Sequence, residues 1–508
     1  MTRNRLASVL IAVGALFGCS GGGTTDLPVN PPPTQSIAVA VSLGLVAAPR
    51  GSTHGVTVTV TRNGGYAAAI ALSVTGLPVG VTATFTPATL VGTESTTALL
   101  MFSVSPAAVV ATSTVTINAT GDGVASTTAQ VSLNVSAPAA ITLAALGLGS
   151  VPDRYTSELW VRGTTAYTST WGTRSGTGRG NAIKIWDVSA LTPTLVDSVI
   201  VANASTLGDV QVSDDGSLLV AAIESNPNGG LAIYQLDTPR SPRLLVRTTG
   251  GELQYGVHTV EIARVNGVLY AFCNIDPANN VLARLVIVSL ANPSQPTTVA
   301  SIQMGTPYIH DVFVRDGLLF TGEWNSGLGI WDIGGGGTGG TVAVPKRISH
   351  VATLGGKVHN MWWYHDPADN SKRYVFVGEE GPGVIGSSSV GDVHVVDIST
   401  ITAPVEVARY TVSGGGTHNF SVDEASGFLY AAYYNAGVRV LDVRGDLGSC
   451  VTSQRTADGR CDLTLMGREK AIFSGNGSVY VWGVHWSASG MFASDMLNGL
   501  WRISPATR

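Results

Sequence analysis

Along most of the chain hydrophobic residues alternate with polar or small ones, in short runs broken by Gly, Pro, Asn and Asp. Such period-two alternation predicts half-buried β-strands. Between Ser36 and Ala137 the runs are IAVAVSL, VTVTVTR, AIALSV, VTATFTP, ALLMFSV, STVTINAT and AQVSLNV. Seven strands of this kind within about 100 residues predict a β-sandwich. Beyond Ala137 the pattern repeats at a longer period, about 50 residues, which falls in the range of propeller repeats. Its clearest copies are HDVFVRDGLLFTGEWNSGLGIWD, from His310 to Asp332, and HNFSVDEASGFLYAAYYNAGVRVLD, from His418 to Asp442.

Each copy predicts three strands, followed by a connection with Pro and a fourth strand, as in PVEVARY from Pro404 to Tyr410. First strands start near Ser157, Gly208, His258, His310, His359, His418 and Trp482. Third strands end in IKIWDVS, LAIYQLD, LVIVSL, LGIWDI, VHVVDIS, VRVLDV and LWRIS. Seven units of four antiparallel strands predict a seven-bladed β-propeller over residues 138–508. The seventh unit stops at its third strand, whereas Ile141 to Gly147 forms an orphan strand upstream of the first unit. This N-terminal strand is expected to complete the last blade, closing the ring and covering a sheet edge.

Composition agrees with that pattern. Hydrophobic residues at 44%, charged residues at 12% and 62 Gly fit an all-β extracytoplasmic protein with many tight turns. A net charge of −5 gives no electrostatic reason to expect a nucleic-acid partner. The chain has no Gly-x-Ser-x-Gly elbow, Walker loop or HExxH helix. The string GGGGTGG, from Gly334 to Gly340, lacks a strand-to-helix setting for phosphate and reads as a flexible insertion in the fourth unit.

The N-terminus carries Arg3 and Arg5, an apolar stretch from Leu6 to Phe17, and then Leu16-Phe17-Gly18-Cys19. This is an export signal, and its end resembles the lipobox of bacterial lipoproteins. The resemblance implies a signal peptide at residues 1–18, acylation of the Cys19 thiol, and a Pro/Gly-rich tether at 19–35 that holds the chain to a membrane. Ser20, where inner-membrane lipoproteins carry Asp, implies an outer-membrane or cell-surface location. No other stretch approaches the ~18 apolar residues of a membrane-spanning helix. Cys450 and Cys461 flank the polar loop VTSQRTADGR and are expected to form a disulfide, and Cys273 in LYAFC reads as a buried thiol.

Two further resemblances concern the folded regions. Gly76-Leu77-Pro78 with VGVTATFTP resembles the immunoglobulin-like domains repeated on bacterial surface proteins, which implies a spacer or adhesive module at 36–137. The strings VRVLDV, VHVVDIS and IKIWDVS resemble the LVIVD repeat of bacterial and archaeal cell-surface propellers. The IWD strings are also similar to WD repeats, but the Gly-His dipeptide of that family is missing.

Candidate chemistry sits at equivalent places in the repeat. His258, His310, His359 and His418 each begin a first strand, and first strands line a propeller's central channel. Four of the nine histidines therefore share one structural position, at which imidazoles of consecutive blades would meet around one mouth. Three of them would suffice to hold a divalent metal with an open position for water. Acidic residues recur after the second strands, at Glu224, Glu323, Glu379, Glu380 and Asp495. Of these, Glu323 and Glu379 are the candidate carboxylate ligands. The other reading of the histidines is structural, each bonding a neighbouring blade's turn. The third-strand residues Asp187, Asp237, Asp332, Asp397 and Asp442 are expected to cap turns. Trp186 and Trp331 are expected to pack between blades. The run Trp362-Trp363-Tyr364-His365 has to divide between two faces, one of which is open as a contact surface.

Three functions follow. The leading one is a lipid-anchored surface propeller that binds protein or glycan. The second is a metal-dependent, lactonase-like hydrolase using the histidine mouth, and the third a structural component of a surface assembly.

Overall fold

A computed structural model describes residues 34–506, apart from 95, 106–107, 137–140, 175–177, 225–227, 277–281, 306–307 and 451. The expected signal peptide, Cys19 and nearly all of the tether lie outside the described residues. The described residues are all-β and form nine sheets. Among the described residues no helix is long and apolar enough to cross a membrane.

Two sheets form the N-terminal region. One pairs Ser36–Val41, Thr53–Asn63, Thr96–Val104 and Val81–Thr86; the other pairs Leu45–Pro49, Thr127–Ser136, Ala111–Gly121, Ile70–Thr75 and Thr89–Leu90. Alternation works as expected: in Thr53–Asn63 the buried residues Val56, Val58 and Val60 face a core shared with Leu100, Phe102, Val115, Ile117, Val131 and Leu133 of both sheets. Fully burying a side chain of this size stabilises by about 1.5–3 kcal/mol. Two strands were not visible in the hydrophobic pattern. Leu45–Pro49 is short and pairs in parallel with Thr127–Ser136, so the chain changes sheets after its first strand. Thr89–Leu90 is too short to alternate.

The remaining seven sheets follow one another along the chain and have propeller character. Their innermost strands are Tyr155–Arg162, Leu207–Val212, Thr259–Val265, Ile309–Arg315, Val358–Trp363, Phe420–Asp423 and Val481–Ser487. Each packs against the next, and the last against the first, which closes a ring. Hydrophobic clusters span neighbouring sheets: Val220 and Ile233 of one meet Val260, Ala271 and Val286 of the next. Trp186 is buried and donates its indole N–H to Thr168 Oγ1 at 3.0 Å, and Trp331 does the same to Thr321 Oγ1 at 2.9 Å.

Closure uses the N-terminal segment, with boundaries shifted from those expected. Ala145–Ser150 pairs antiparallel with Gly499–Ile503 as the fourth strand of the last sheet. Ile141–Thr142 instead pairs in parallel with Glu469–Phe473 of the preceding sheet, so one segment joins two sheets. Gly149 permits this close approach, because a Cβ there would lie 2.4 Å from the Trp186 ring. Cys450 and Cys461 are disulfide-bonded, and Cys461–Asp462 adds a parallel fifth strand beside Val405–Tyr410. Cys273 is a buried free thiol.

Turn capping accounts for most of the third-strand aspartates. Asp187, Asp397 and Asp442 accept the N–H groups of Ser189, Ser399 and Arg444, whereas Asp237 meets Arg243. At Asp332 capping extends to the whole Gly-rich insertion, which is not the loose loop expected from its sequence. The buried carboxylate accepts N–H groups from Gly334, Gly336, Thr338 and Gly340 and the Thr338 hydroxyl, all within 3.1 Å. Gly-rich sequence is needed for the chain to curl this tightly: a Cβ at Gly340 would lie 2.0 Å from the Asp332 carbonyl oxygen.

Candidate functional site

At His310 and His359 the mouth position is set by an irregularity that recurs in five of the seven innermost strands, whereas the strands after His258 and His418 pair without a slip. Pairing slips by one residue between Thr156 and Leu159, Leu207 and Val210, Ile309 and Val312, Val358 and Met361, and Val481 and Gly483. At these β-bulges two residues oppose one: His310 and Asp311 face Gly322, and His359 and Asn360 face Gly378. A bulge re-aims side chains that strict alternation would send to opposite faces. The facing glycines leave the room this needs, since a Cβ at Gly378 would lie 2.2 Å from Asn360 Oδ1. Successive residues therefore serve the channel at two depths, His at one mouth and the following polar residue further in.

At the mouth the four imidazoles stand side by side. Ring centroids are 4.7 Å apart for His258 and His310, 4.6 Å for His310 and His359, and 4.0 Å for His359 and His418. Two indoles complete the circle: His418 lies 4.1 Å from Trp482, Trp482 5.0 Å from Trp171, and Trp171 5.7 Å from His258. His310, His359 and His418 are buried, and His258 is partly open to solvent.

Hydrogen bonds do not account for these rings. Nδ1 of His310, both ring nitrogens of His359 and Nδ1 of His418 are buried without a hydrogen-bond partner among the described residues. Glu380 Oε2 is 4.0 Å from His310 Nε2 and 3.9 Å from His359 Nε2, too long for direct hydrogen bonds. Its other oxygen accepts the Tyr434 hydroxyl. His258 has carboxylate company, with Nδ1 3.2 Å from Glu224 Oε1 and Asp276 close by. Burial and the neighbouring imidazoles hold His310, His359 and His418 well below the usual histidine range. At His258 burial acts the same way, but Asp276 and Glu224 outweigh it and hold the ring well above that range. Among the described residues two groups of three donors fall within 4.8 Å of one another, His310 with His359 and Glu380, and His258 with Asp276 and His310.

Neither carboxylate expected as a ligand belongs to these groups. Glu323 is buried between Arg347, at 2.8 Å, and His350, at 3.6 Å. Glu379 lies 3.0 Å from Nε2 of buried His394. The acid at the mouth is the next residue, Glu380, because one step along an extended chain turns the side chain to the opposite face. Asp276 and Trp171 were also missed. Trp171 ends a second strand, and only the pairing of strands brings it to the mouth.

Deeper in the channel lies a cavity of about 300 Å³. Its walls carry the carboxylates of Glu158, Asp209, Glu261 and Asp311, the amides of Gln211, Asn360 and Asn419, and the rings of Trp160, Phe313, Trp362 and Trp486. No Lys or Arg is among the lining residues. Trp362 is thus the face of its aromatic run that meets open space, and Trp363 packs inward against Phe320 at 5.3 Å. Asp209 accepts the Val260 N–H at 2.8 Å, Asp311 that of Val312 at 2.8 Å, and Glu261 the Gln211 amide at 2.9 Å. Asn419 donates to Glu158. Enclosure by protein pushes Glu158 up to about 7, Glu261 to about 8 and Asp311 to about 6, and like charges add to it. Asp209 rises well above the carboxylate range for the same reasons, with Asp311 and Glu158 as the like charges.

No protein-family model matches the chain, and no curated protein matches it. Solved structures do. Sqt1 from Chaetomium thermophilum aligns with a TM-score of 0.48 at 11% identity, over 72% of this chain and 100% of that one. Sqt1 bound to the N-terminus of the ribosomal protein L10 aligns at 0.46 and 12%, over 72% and 91%. The C-terminal WD40 domain of Sif2 aligns at 0.43 and 11%, over 69% and 82%. At these scores and identities the likeness carries no argument about function, and the ring of sheets rests on its own strand pairing.

Proposed function

We propose that the chain is an exported, lipid-anchored binding module, in which a seven-bladed propeller takes a basic segment of a protein partner into its central channel. Residues 36–137 form an immunoglobulin-like spacer and residues 138–508 an LVIVD-type propeller. The two-sheet core and the closed ring of seven sheets support that division, and the lipobox-like end of the export signal supports anchoring through Cys19 at the outer membrane or cell surface.

The observation that carries the binding reading is the convergence of four carboxylates in one aromatic-walled cavity without a cation of its own. Like charges enclosed together disfavour their own ionisation, so an arriving cation gains both Coulomb attraction and relief of that repulsion. Indole faces add cation–π attraction for an Arg or Lys side chain. A neutral glycan would stack on the same rings but would leave the carboxylates uncompensated.

The test is fluorescence anisotropy of the full chain with Arg- and Lys-containing, acidic and neutral peptides, alongside a glycan array. Basic peptides are expected to bind, more weakly as salt rises and at least about tenfold more weakly to Asp209→Asn, the size of loss typical for one partner of a desolvated charge pair. Binding should also fade as pH falls from 8 towards 5.5, because the cavity carboxylates then take up protons. Retention of neutral glycans with no preference for basic peptides would overturn this reading.

A further inference from the structure

We propose that the mouth of the channel binds one divalent transition-metal ion of the zinc class, through His310, His359 and Glu380. The site is separate from the peptide reading, since none of the three lines the acidic cavity.

Ligand chemistry is the first support. Two imidazole nitrogens and one carboxylate oxygen suit zinc, cobalt or nickel better than calcium or magnesium, which prefer oxygen. Both Nε2 atoms point to the same carboxylate oxygen from 4.0 and 3.9 Å. Tetrahedral ligands at about 2.1 Å from zinc stand about 3.4 Å from one another. Side-chain movements of about half an ångström would therefore bring the three donors to bonding distance.

The second support is that imidazole nitrogens of His310 and His359 are buried with no hydrogen-bond partner among the described residues. Burying an imidazole nitrogen without a partner is costly, and a native core ordinarily supplies one. Among the described residues His359 has none at either nitrogen, although it is only 1% exposed. The same chain pairs buried His394 with two carboxylates, so internal partners were within its means. A carboxylate oriented from behind is a further property of metal sites. Tyr434 gives Glu380 that support by donating its hydroxyl to the oxygen facing away from the imidazoles.

The competing donor group, His258 with Asp276 and His310, shares His310, so the two cannot be filled through it at once. His258 is already engaged through Nδ1, 3.2 Å from Glu224. Because His258 and Glu224 are partly solvent-exposed, they instead mark the side from which an ion would enter.

Titration of the chelator-treated full chain with Co(II) tests the proposal, through calorimetry and the visible absorption of the bound ion. One equivalent should bind with the intense bands of four- or five-coordinate cobalt. His359→Gln and Glu380→Gln should each weaken binding about 100-fold or more, with near-UV circular dichroism confirming that they fold. Tyr434→Phe keeps all three ligands and should weaken it about tenfold, as for loss of an outer partner. His54→Gln, in the N-terminal sheets and in neither donor group, should change nothing. No stoichiometric uptake by the unaltered chain would overturn the proposal. Uptake that survives Glu380→Gln but is lost in Asp276→Asn would also overturn it, by assigning the ion to the other group.

Discussion

His394 and the pair His310 and His359 meet consecutive carboxylates, Glu379 and Glu380, yet the two surroundings differ in what they leave undone. His394 is fully buried: Nδ1 hydrogen-bonds Glu406 at 2.6 Å, while Nε2 lies 3.0 Å from Glu379, close enough for an ion pair though not aligned as a hydrogen bond. Glu406 is in turn 2.8 Å from Arg460. Burial draws the His394 pKa down, but the two carboxylates outweigh it and hold it at about 9. His310 and His359 share a single carboxylate beyond hydrogen-bond range, and they stay neutral. A buried histidine is thus structural where the fold supplies its partners, and available to a ligand where the fold withholds them.

Mutation of the two sites should separate them by the largest margin. Glu406→Ala leaves a buried imidazolium and the Arg460 guanidinium short of a partner, which costs about 3–5 kcal/mol. His359→Phe removes nitrogens that bond nothing and keeps an aromatic ring of similar shape, so its effect should stay within about 1 kcal/mol of zero, with either sign. Denaturant unfolding of the two variants checks this. Equal losses would mean that the mouth is as structural as the His394 triad.

The pH dependence of stability separates them next. The folded pKa of His394 is raised to about 9, so its contribution is complete below the unfolded value near 6.5 and is lost as pH rises from 6.5 through 9. That amounts to about 3 kcal/mol across the window. For His310, His359 and His418 the folded pKa is depressed, so the unfolded chain takes up protons first and stability falls as pH drops below about 6.5. Denaturation midpoints from pH 5 to 9.5 should show both slopes, and His394→Gln should make the alkaline one shallower by its own share, leaving the decline that His258 and the cavity carboxylates contribute. An alkaline slope left unchanged in His394→Gln would show that the triad contributes nothing to it.

Much of this contrast was readable before any pairing was known, and part of it was not. The repeat announced the shared position of the four histidines, because each first strand begins with the same residue type before an alternating run. Third-strand Asp residues marked the turns for a local reason, a side chain bonding an N–H two residues on, as at Asp187 and Ser189. The choice between Glu379 and Glu380 could not be made from the sequence, since it depends on where a strand ends and which way its last side chain turns. The acidic cavity escaped notice for a related reason. Glu158, Asp209 and Asp311 follow the His position directly, and simple alternation would turn them away from the channel. Only the bulges bring both residues inward.

The cavity supplies a third kind of buried charge, and with it the smallest effect. Glu158 is 8% exposed, and burial, with Asp311 adding like charge, pushes it up to about 7. For an acid whose folded pKa lies above its unfolded one, stability is complete below the unfolded value near 4.5 and declines as pH rises through 7. Glu158→Gln should remove that decline. The glutamine carbonyl oxygen still accepts the Leu159 N–H, which now bonds Glu158 at 2.9 Å. Asn419, whose Oδ1 is buried without a partner, needs only to turn its amide over to accept from the new side-chain N–H₂. The variant should therefore gain on the parent by about 2 kcal/mol between pH 5.5 and pH 8.5, read from urea midpoints. It should also bind basic peptides less well, the opposite sign from its effect on stability. A charge kept at a cost to the fold is what separates this ring from Glu379 and Glu406. If Glu158→Gln were destabilising at pH 8.5, Glu158 would join them as a structural acid.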